Sequence, residues 1–235
     1  MKITLLTGKI FNLSDIFGFE IKTIKTPLAK RLTLRIDEKN RIPVLTIPEK
    51  CSKKKAISFI NSHLDWIKQT LSKLPPAQKF TTNQQISFMG KKITIIHSPE
   101  RRDAFLDNDT LLVGGNIEFL HRRTADYIKK HAQLCLYDLS KHYAEKLNCK
   151  IKNVTLKDTK SRWGSCSNKN NINYNWRIAM APYFVIEYLV CHEVSHLAHP
   201  NHSPAFWECV ANLCPQYKEA RNWLKEQGKT LYRFI

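Results

Sequence analysis

The residues best suited to chemistry stand together in the last third of the chain, in Tyr188-Leu189-Val190-Cys191-His192-Glu193-Val194-Ser195-His196-Leu197-Ala198-His199-Pro200-Asn201-His202. In a helix running through Ala198, His192 and His196 are four residues apart and share one face, about 6 Å apart along the axis. Their imidazoles can then bind one metal ion. Glu193 is turned about 100° from His192, which puts its carboxylate beside such an ion, free to hold a water instead of binding the metal. This is an H-E-x-x-H arrangement. A hydrolytic zinc site needs three protein ligands and an open fourth position for water. His202 is the best third ligand, because Pro200-Asn201 should end the helix and turn the chain back toward the site; His199 and Glu208 stand next in line. The flanking Val185, Ile186, Leu189 and Val190 make the helix a buried one, where a Glu and two His are costly without a metal or partners. In the chemistry this predicts, Glu193 takes the proton of a water attacking a carbonyl and returns it to the leaving amine. The ligands must be neutral imidazoles, so activity should fail in acid.

A buried helix needs neighbours, and the pattern supplies them. Ala125, Ile128, Ala132, Cys135, Leu139, Tyr143 and Leu147 recur every three or four residues, which predicts a long helix able to back the site. Val154-Thr155-Leu156 reads as a short strand. Ser161-Arg162-Trp163-Gly164-Ser165-Cys166-Ser167 and Ile172-Asn173-Tyr174-Asn175-Trp176 read as a hairpin around an Asn-rich turn. Pro182 suits the first turn of the H-E-x-x-H helix. Two more helices are expected at 205–210 and 216–227, the second ending at Gly228.

Before Gly114-Gly115 the pattern is different. Leu32, Leu34 and Ile36 alternate with Thr33 and Arg35, Asp37-Glu38-Lys39-Asn40 turns the chain, and Val44-Leu45-Thr46-Ile47 completes a hairpin. One helix follows from Ser52 to Leu71 and ends at Pro75-Pro76. Hairpins around Met89-Gly90-Lys91 and Asp107-Asn108-Asp109 extend a small antiparallel sheet. The expected fold class is therefore α+β. A β-rich N-terminal region with one helix occupies residues 1–115, and a domain with the helical H-E-x-x-H core occupies 116–235.

At 235 residues and 43% apolar content, the chain can bury a substantial core. Its net charge of +18 is no basic tail: residues 1–120 hold 20 Lys/Arg against 11 Asp/Glu, and residues 121–235 hold 18 against 9. A generally basic surface can hold nucleic acid or acidic ligands. The seven cysteines are odd in number, scattered and without a C-x-x-C pair, which argues against a zinc ribbon and against a disulfide framework. The apolar run within Met1 to Lys9 is too short for a signal segment, and no stretch approaches the roughly 20 apolar residues of a membrane span. A reducing, cytoplasmic location is the expectation.

The stretch Arg162-Trp163-Gly164-Ser165-Cys166 admits two readings. As a strand beside the metal helix it can pair with an extended substrate, Gly164 allowing close approach and Arg162 binding a carboxylate or phosphate; Arg162, Trp163 and Gly164 are then candidate substrate-binding residues. Alternatively, Trp163 is core, Gly164 a bulge and Cys166 a small buried residue. Phe206 and Trp207 read as packing that holds His202, and Asn201 and Ser195 as groups that can hydrogen-bond the ligands.

With Ser161 to Cys166 upstream, the His192–His196 core, and Asn201-His202-Ser203-Pro204-Ala205-Phe206-Trp207 downstream, the sequence resembles the YgjP-like family of metal-dependent hydrolases and, more distantly, the SprT-type metalloproteases. The resemblance implies a zincin-like catalytic domain, with His192, His196 and His202 as ligands to one Zn²⁺ and Glu193 as catalytic residue. The leading expectation is a zinc-dependent metallopeptidase acting on a peptide or protein. Two others stand beside it. The same site can cleave a nucleotide phosphoanhydride, although no Asp/Glu cluster for Mg²⁺ is visible. A DNA-associated protease or binding protein would use the basic surface.

Overall fold

The computed structural model describes residues 14–37, 40–74, 78–159 and 162–234. Of the positions read above, Met1 to Lys9, Glu38, Lys39, Pro75-Pro76 and Ser161 lie outside the described residues. The chain divides into two compact units, Met1–Pro76 and Ala77–Ile235.

In the first unit, α1 (Ser14–Phe17) precedes β1 (Lys22–Thr26), β2 (Thr33–Asp37), β3 (Ile42–Pro48), α2 (Lys53–Asn61) and α3 (Leu64–Ser72). The expected hairpin forms, with Leu34 opposite Leu45 in antiparallel β2 and β3. β1 joins the other side of β3 in parallel, so the sheet is mixed where an antiparallel one was expected. Alternation turns Leu45 and Ile47 toward Ile60 of α2 and Ile67 of α3, which together with Ile21 and Ala56 form a small core. The single helix expected from Ser52 to Leu71 is two. Ser62 Oγ donates to the Phe59 carbonyl at 2.9 Å, and His63 Nδ1 lies 2.8 Å from the same oxygen. Side chains that capture a helical carbonyl compete with the next turn of helix, and the first helix ends there.

The second unit begins with β4 (Gln85–Phe88), β5 (Lys91–Ser98), β6 (Ala104–Asp107) and β7 (Thr110–Gly114), a sheet in the order β4-β5-β7-β6. Both expected hairpins are present, and β5 and β7 are joined in parallel. Then come α4 (Leu120–Lys146), β8 (Asn153–Lys157), β9 (Gly164–Cys166), β10 (Asn171–Asn175), α5 (Tyr183–Ser195), α6 (Pro204–Leu213) and α7 (Tyr217–Glu226). The second sheet has the order β8-β10-β9, leaving β9 on an edge. The architecture is α+β with mixed sheets.

The boundary expected at Gly114-Gly115 falls inside this second unit. The change of pattern there marks a change from strand to helix within one core. Phe88, Ile93, Ile95, Leu111 and Val113 of the first sheet share that core with Ile128 and Leu136 of α4 and Val190 of α5. The β4–β5 turn also abuts the start of α5. Met89 N donates to the Ala179 carbonyl at 2.7 Å, and Gly90 turns at φ +82° so close to the helix that a Cβ there would stand 2.5 Å from Tyr183 Cβ. Of the face expected for α4, Ala125, Ile128, Ala132 and Tyr143 are buried and Leu139 and Leu147 half-buried, while Cys135 is exposed and Leu136 and Ser140 take the core side there. Helix α5 is buried nearly all round, from Val185 to Ser195, which fixes its position against α4, α6, α7 and β9.

Candidate metal centre

Helix α5 ends at Ser195, shorter than the run through Ala198 that the sequence predicts. His196 is its C-cap, yet at φ −66° and ψ −15° it keeps helical backbone, so the i, i+4 relation to His192 survives. The chain then turns, with His199 N donating to Ser195 O at 2.9 Å. Ser203 caps α6 by accepting from Phe206 N, with Pro204 in the first turn, and this start of a new helix carries His202 back to the other two histidines.

The three imidazoles converge. One ligand atom from each of His192, His196 and His202 lies within 4.8 Å of the others. His192 Nε2 and His202 Nε2 are 3.2 Å apart. Two nitrogens bound at about 2.0–2.1 Å to a tetrahedral zinc stand about 3.3 Å apart, so the His192–His202 pair fits such an ion. The tautomer of His196 fits as well. His196 Nδ1 lies 3.1 Å from the His199 carbonyl, an acceptor that puts the proton on Nδ1 and leaves Nε2 free. Burial, then the charges of His196 and His202, pushes His192 down to about 3. Its Nδ1 is buried with no partner among the described residues, so the N–H that an Nε2 ligand carries there has no acceptor, unlike that of His196. Burial likewise lowers His196. Neutral imidazoles are what a metal requires. Phe206, fully buried, stacks on His196 at 4.5 Å and meets His202 edge-on at 4.8 Å, while Trp207 stacks on His202 at 5.8 Å. These rings are the packing expected around His202.

The triad opens into a cleft of about 610 Å³ whose lining includes Gly164, Ser165, Cys166, Glu193, Leu197 and Pro200. Glu193 is 4% exposed, and its carboxyl rests against Gly164, where a Cβ would overlap it. Burial pushes that carboxyl up to about 8, opposed by the charge of Arg162. Burial, with the Glu193 charge second, holds the Cys166 thiol up at about 11, which makes it a poor nucleophile.

A family model described as YgjP-like, metallopeptidase domain, matches residues 30–227. The chain belongs to the YgjP-like family. Its matched domain is a metallopeptidase domain, so the chain is a metal-dependent peptidase. Among solved structures, the crystal structure of the metallopeptidase zymogen of Pyrococcus abyssi abylysin is 24% identical, covers 39% of this chain and 95% of its own, and has a TM-score of 0.36. No curated protein matches.

Within the YgjP-like domain, the other residues singled out by sequence fall into place unevenly. The cleft lining includes Gly164 but neither Arg162 nor Trp163. Trp163 packs on Tyr232 at 5.0 Å and abuts Gly228. Ser195 Oγ donates to Cys191 O within its own helix, and the Asn201 carbonyl accepts from Ser203 N. His199 and Glu208 line a separate recess. The carbonyl of His199, not an expected side chain, is the partner of a histidine. A contact from backbone three residues away has no side-chain signature in the sequence.

Asp158, Thr159 and Trp163, which precede β9, are held by residues that sequence reasoning did not mark. Arg177, 1% exposed, donates from Nη1 to Asp158 at 2.6 Å and from Nε to the Phe234 carbonyl at 2.9 Å. Asn175 Nδ2 and Tyr232 OH both donate to the Thr159 carbonyl, at 2.7 and 3.1 Å, and Asn175 N donates to Trp163 O at 2.7 Å. Arg177 is buried but the Asp158 side chain is 38% exposed, so removing the guanidinium leaves a carboxylate that water can reach and a Phe234 carbonyl without that donor, a cost of about 1–2 kcal/mol. Arg177→Met should therefore lower the Tm of this unit by roughly 2–8 °C. Differential scanning calorimetry checks this, and an unchanged Tm would mean the contacts contribute nothing net.

Among the described residues, no helix is long and apolar enough to cross a membrane.

Proposed function

We propose that this chain is a zinc-dependent peptidase in which His192, His196 and His202 hold the metal and Glu193 is the general base. The observation that carries this reading is the convergence of three histidine donors beside a buried glutamate, in a cleft open to substrate. Among the described residues three protein donors converge, which suits a catalytic site with an open position better than a closed structural one. Zinc in such a site supplies a Lewis acid that polarises a carbonyl and makes water a nucleophile at neutral pH. Glu193 takes the proton of the attacking water as the C–O bond forms, and delivers it to the departing amine nitrogen as the C–N bond breaks.

The edge strand β9 supports a peptide as substrate. Among the described strands it pairs with β10 on one side, and its other side is an edge along the cleft, where an extended peptide can add as a strand. Arg162, just before β9 and outside the cleft lining, acts electrostatically on Glu193, which supports a role toward an anionic group of the substrate. The scattered, unbridged cysteines support a reducing, cytoplasmic setting.

Elemental analysis of purified wild type and His202→Ala, side by side, tests the metal assignment. The expected result is about one zinc per wild-type chain and little in the variant. Equal zinc in both would move the third ligand elsewhere, and no metal in either after zinc is supplied would remove the reading.

A further inference from the structure

We propose that the first unit binds the phosphate backbone of a nucleic-acid duplex through Lys22, Lys30, Arg31 and Arg35. This is independent of the peptidase reading. The chain as a whole carries 38 Lys/Arg against 20 Asp/Glu, so a basic surface alone says little. Residues 22–35 are different: they hold five cations, Lys22, Lys25, Lys30, Arg31 and Arg35, and no Asp or Glu.

The fold arranges these charges along one side of a sheet. Lys22 of β1 and Arg35 of β2 both stand opposite Val44 of the central strand, so they flank it on the same face, two strands or about 10 Å apart. In the next row Thr33 stands opposite Thr46, and Lys30 and Arg31 lie in the connection between β1 and β2. Thr26, Thr33 and Thr46 line an open recess of about 580 Å³ together with Lys30 and Arg31. All four cations are exposed. The acid of the same face, Asp37, is buried and accepts from Asn40 N and Nδ2 at 3.2 and 2.9 Å.

Charges spread along a face suit a linear polyanion better than a single phosphate group. Phosphate oxygens also accept from threonine hydroxyls, which carry no sequence information. Strands β1, β2 and β3 contain no aromatic residue for stacking bases, which favours a duplex read by its backbone over a single strand. An anionic membrane would call for several large apolar residues beside the cations; Leu28 is the exposed large one lining this recess.

The test is fluorescence anisotropy of the full chain with a labelled duplex DNA of about 20 base pairs, across about 50 to 200 mM salt. Lys22→Glu/Arg35→Glu and Lys30→Glu/Arg31→Glu are compared with Lys150→Glu/Lys152→Glu, an equal charge change in the second unit. Wild-type affinity should fall steeply with salt. Each patch pair should weaken binding by about tenfold or more and flatten the log–log salt slope by about two, while the control pair changes affinity by less than about threefold. Lys22→Gln/Arg35→Gln, which removes charge without reversing it, serves if a reversed pair fails to fold by circular dichroism. Equal loss in the control pair would reduce the effect to net charge and overturn the site. So would absence of wild-type binding at low salt, or attachment to phosphatidylserine vesicles or polyglutamate that duplex DNA does not compete away.

Discussion

Glu193→Gln is expected to lower the rate of peptide cleavage by about 10³-fold while leaving the metal content of the protein unchanged. The two effects separate because the residue's neighbours divide its roles. The donors that converge belong to His192, His196 and His202, and Glu193 is not among them. Its carboxyl lies in the same cleft, 4% exposed and seated against Gly164. Glutamine keeps the shape and the length of that side chain but cannot accept and return a proton. Burial already disfavours the carboxylate, so the neutral amide should fold at least as well and the Tm should not fall. Hydrolysis of casein by zinc-loaded wild type and variant, with metal measured on the same samples, is the comparison. Cleavage that persists in the variant would remove Glu193 from the mechanism. Lost cleavage accompanied by lost metal would make it a support for the ligands instead.

The parts of this molecule that were legible in the sequence are those with a local period or a local turn. The α4 helix showed in its three-to-four spacing, the β4–β5 and β6–β7 hairpins in their turn residues, and the ligand helix in the spacing of His192 and His196. The return of His202 toward His192 and His196 was legible because Pro200-Asn201 turns the chain, while the helix start at Ser203-Pro204, ahead of the expected one at Ala205, was not. The parallel pairings of β1 with β3, β5 with β7 and β8 with β10 were not, since they join strands distant in sequence and leave no turn signature. The same holds for the union of the β4–β7 sheet with α5, and for Arg177, Asn175 and Tyr232, which act on Asp158 and Thr159 across the fold. Arg177 in particular reads as one more surface cation in a basic chain until its burial is known. Gly164 was read as allowing close approach of a substrate or as a bulge, and its contact with Glu193, which is distant in sequence, was not legible.

That contact leads to the second large effect: Gly164→Ala should reduce kcat by roughly 10²-fold with metal retained. An added Cβ would occupy space now filled by the Glu193 carboxyl and its Cγ. Neither backbone can yield easily. Gly164 is fixed opposite Tyr174 in β10, a residue fully buried, and α5 is buried on nearly all sides. The glutamate side chain must therefore swing, and a displacement of about 1 Å at a catalytic group costs on the order of 10²-fold. Ser165→Ala on the same strand is the control. It removes a hydroxyl of the cleft lining that accepts from Asn173 Nδ2 at 3.4 Å, but places no new atoms on Glu193, so kcat should stay within about threefold. The decisive reading is the double variant. If Gly164 acts through Glu193, Gly164→Ala/Glu193→Gln loses no more activity than Glu193→Gln alone, since the group being displaced has already lost its function. A further loss of the full 10²-fold would mean that Gly164 serves the substrate directly, as the backbone of an edge strand, and that its contact with the glutamate is incidental to catalysis.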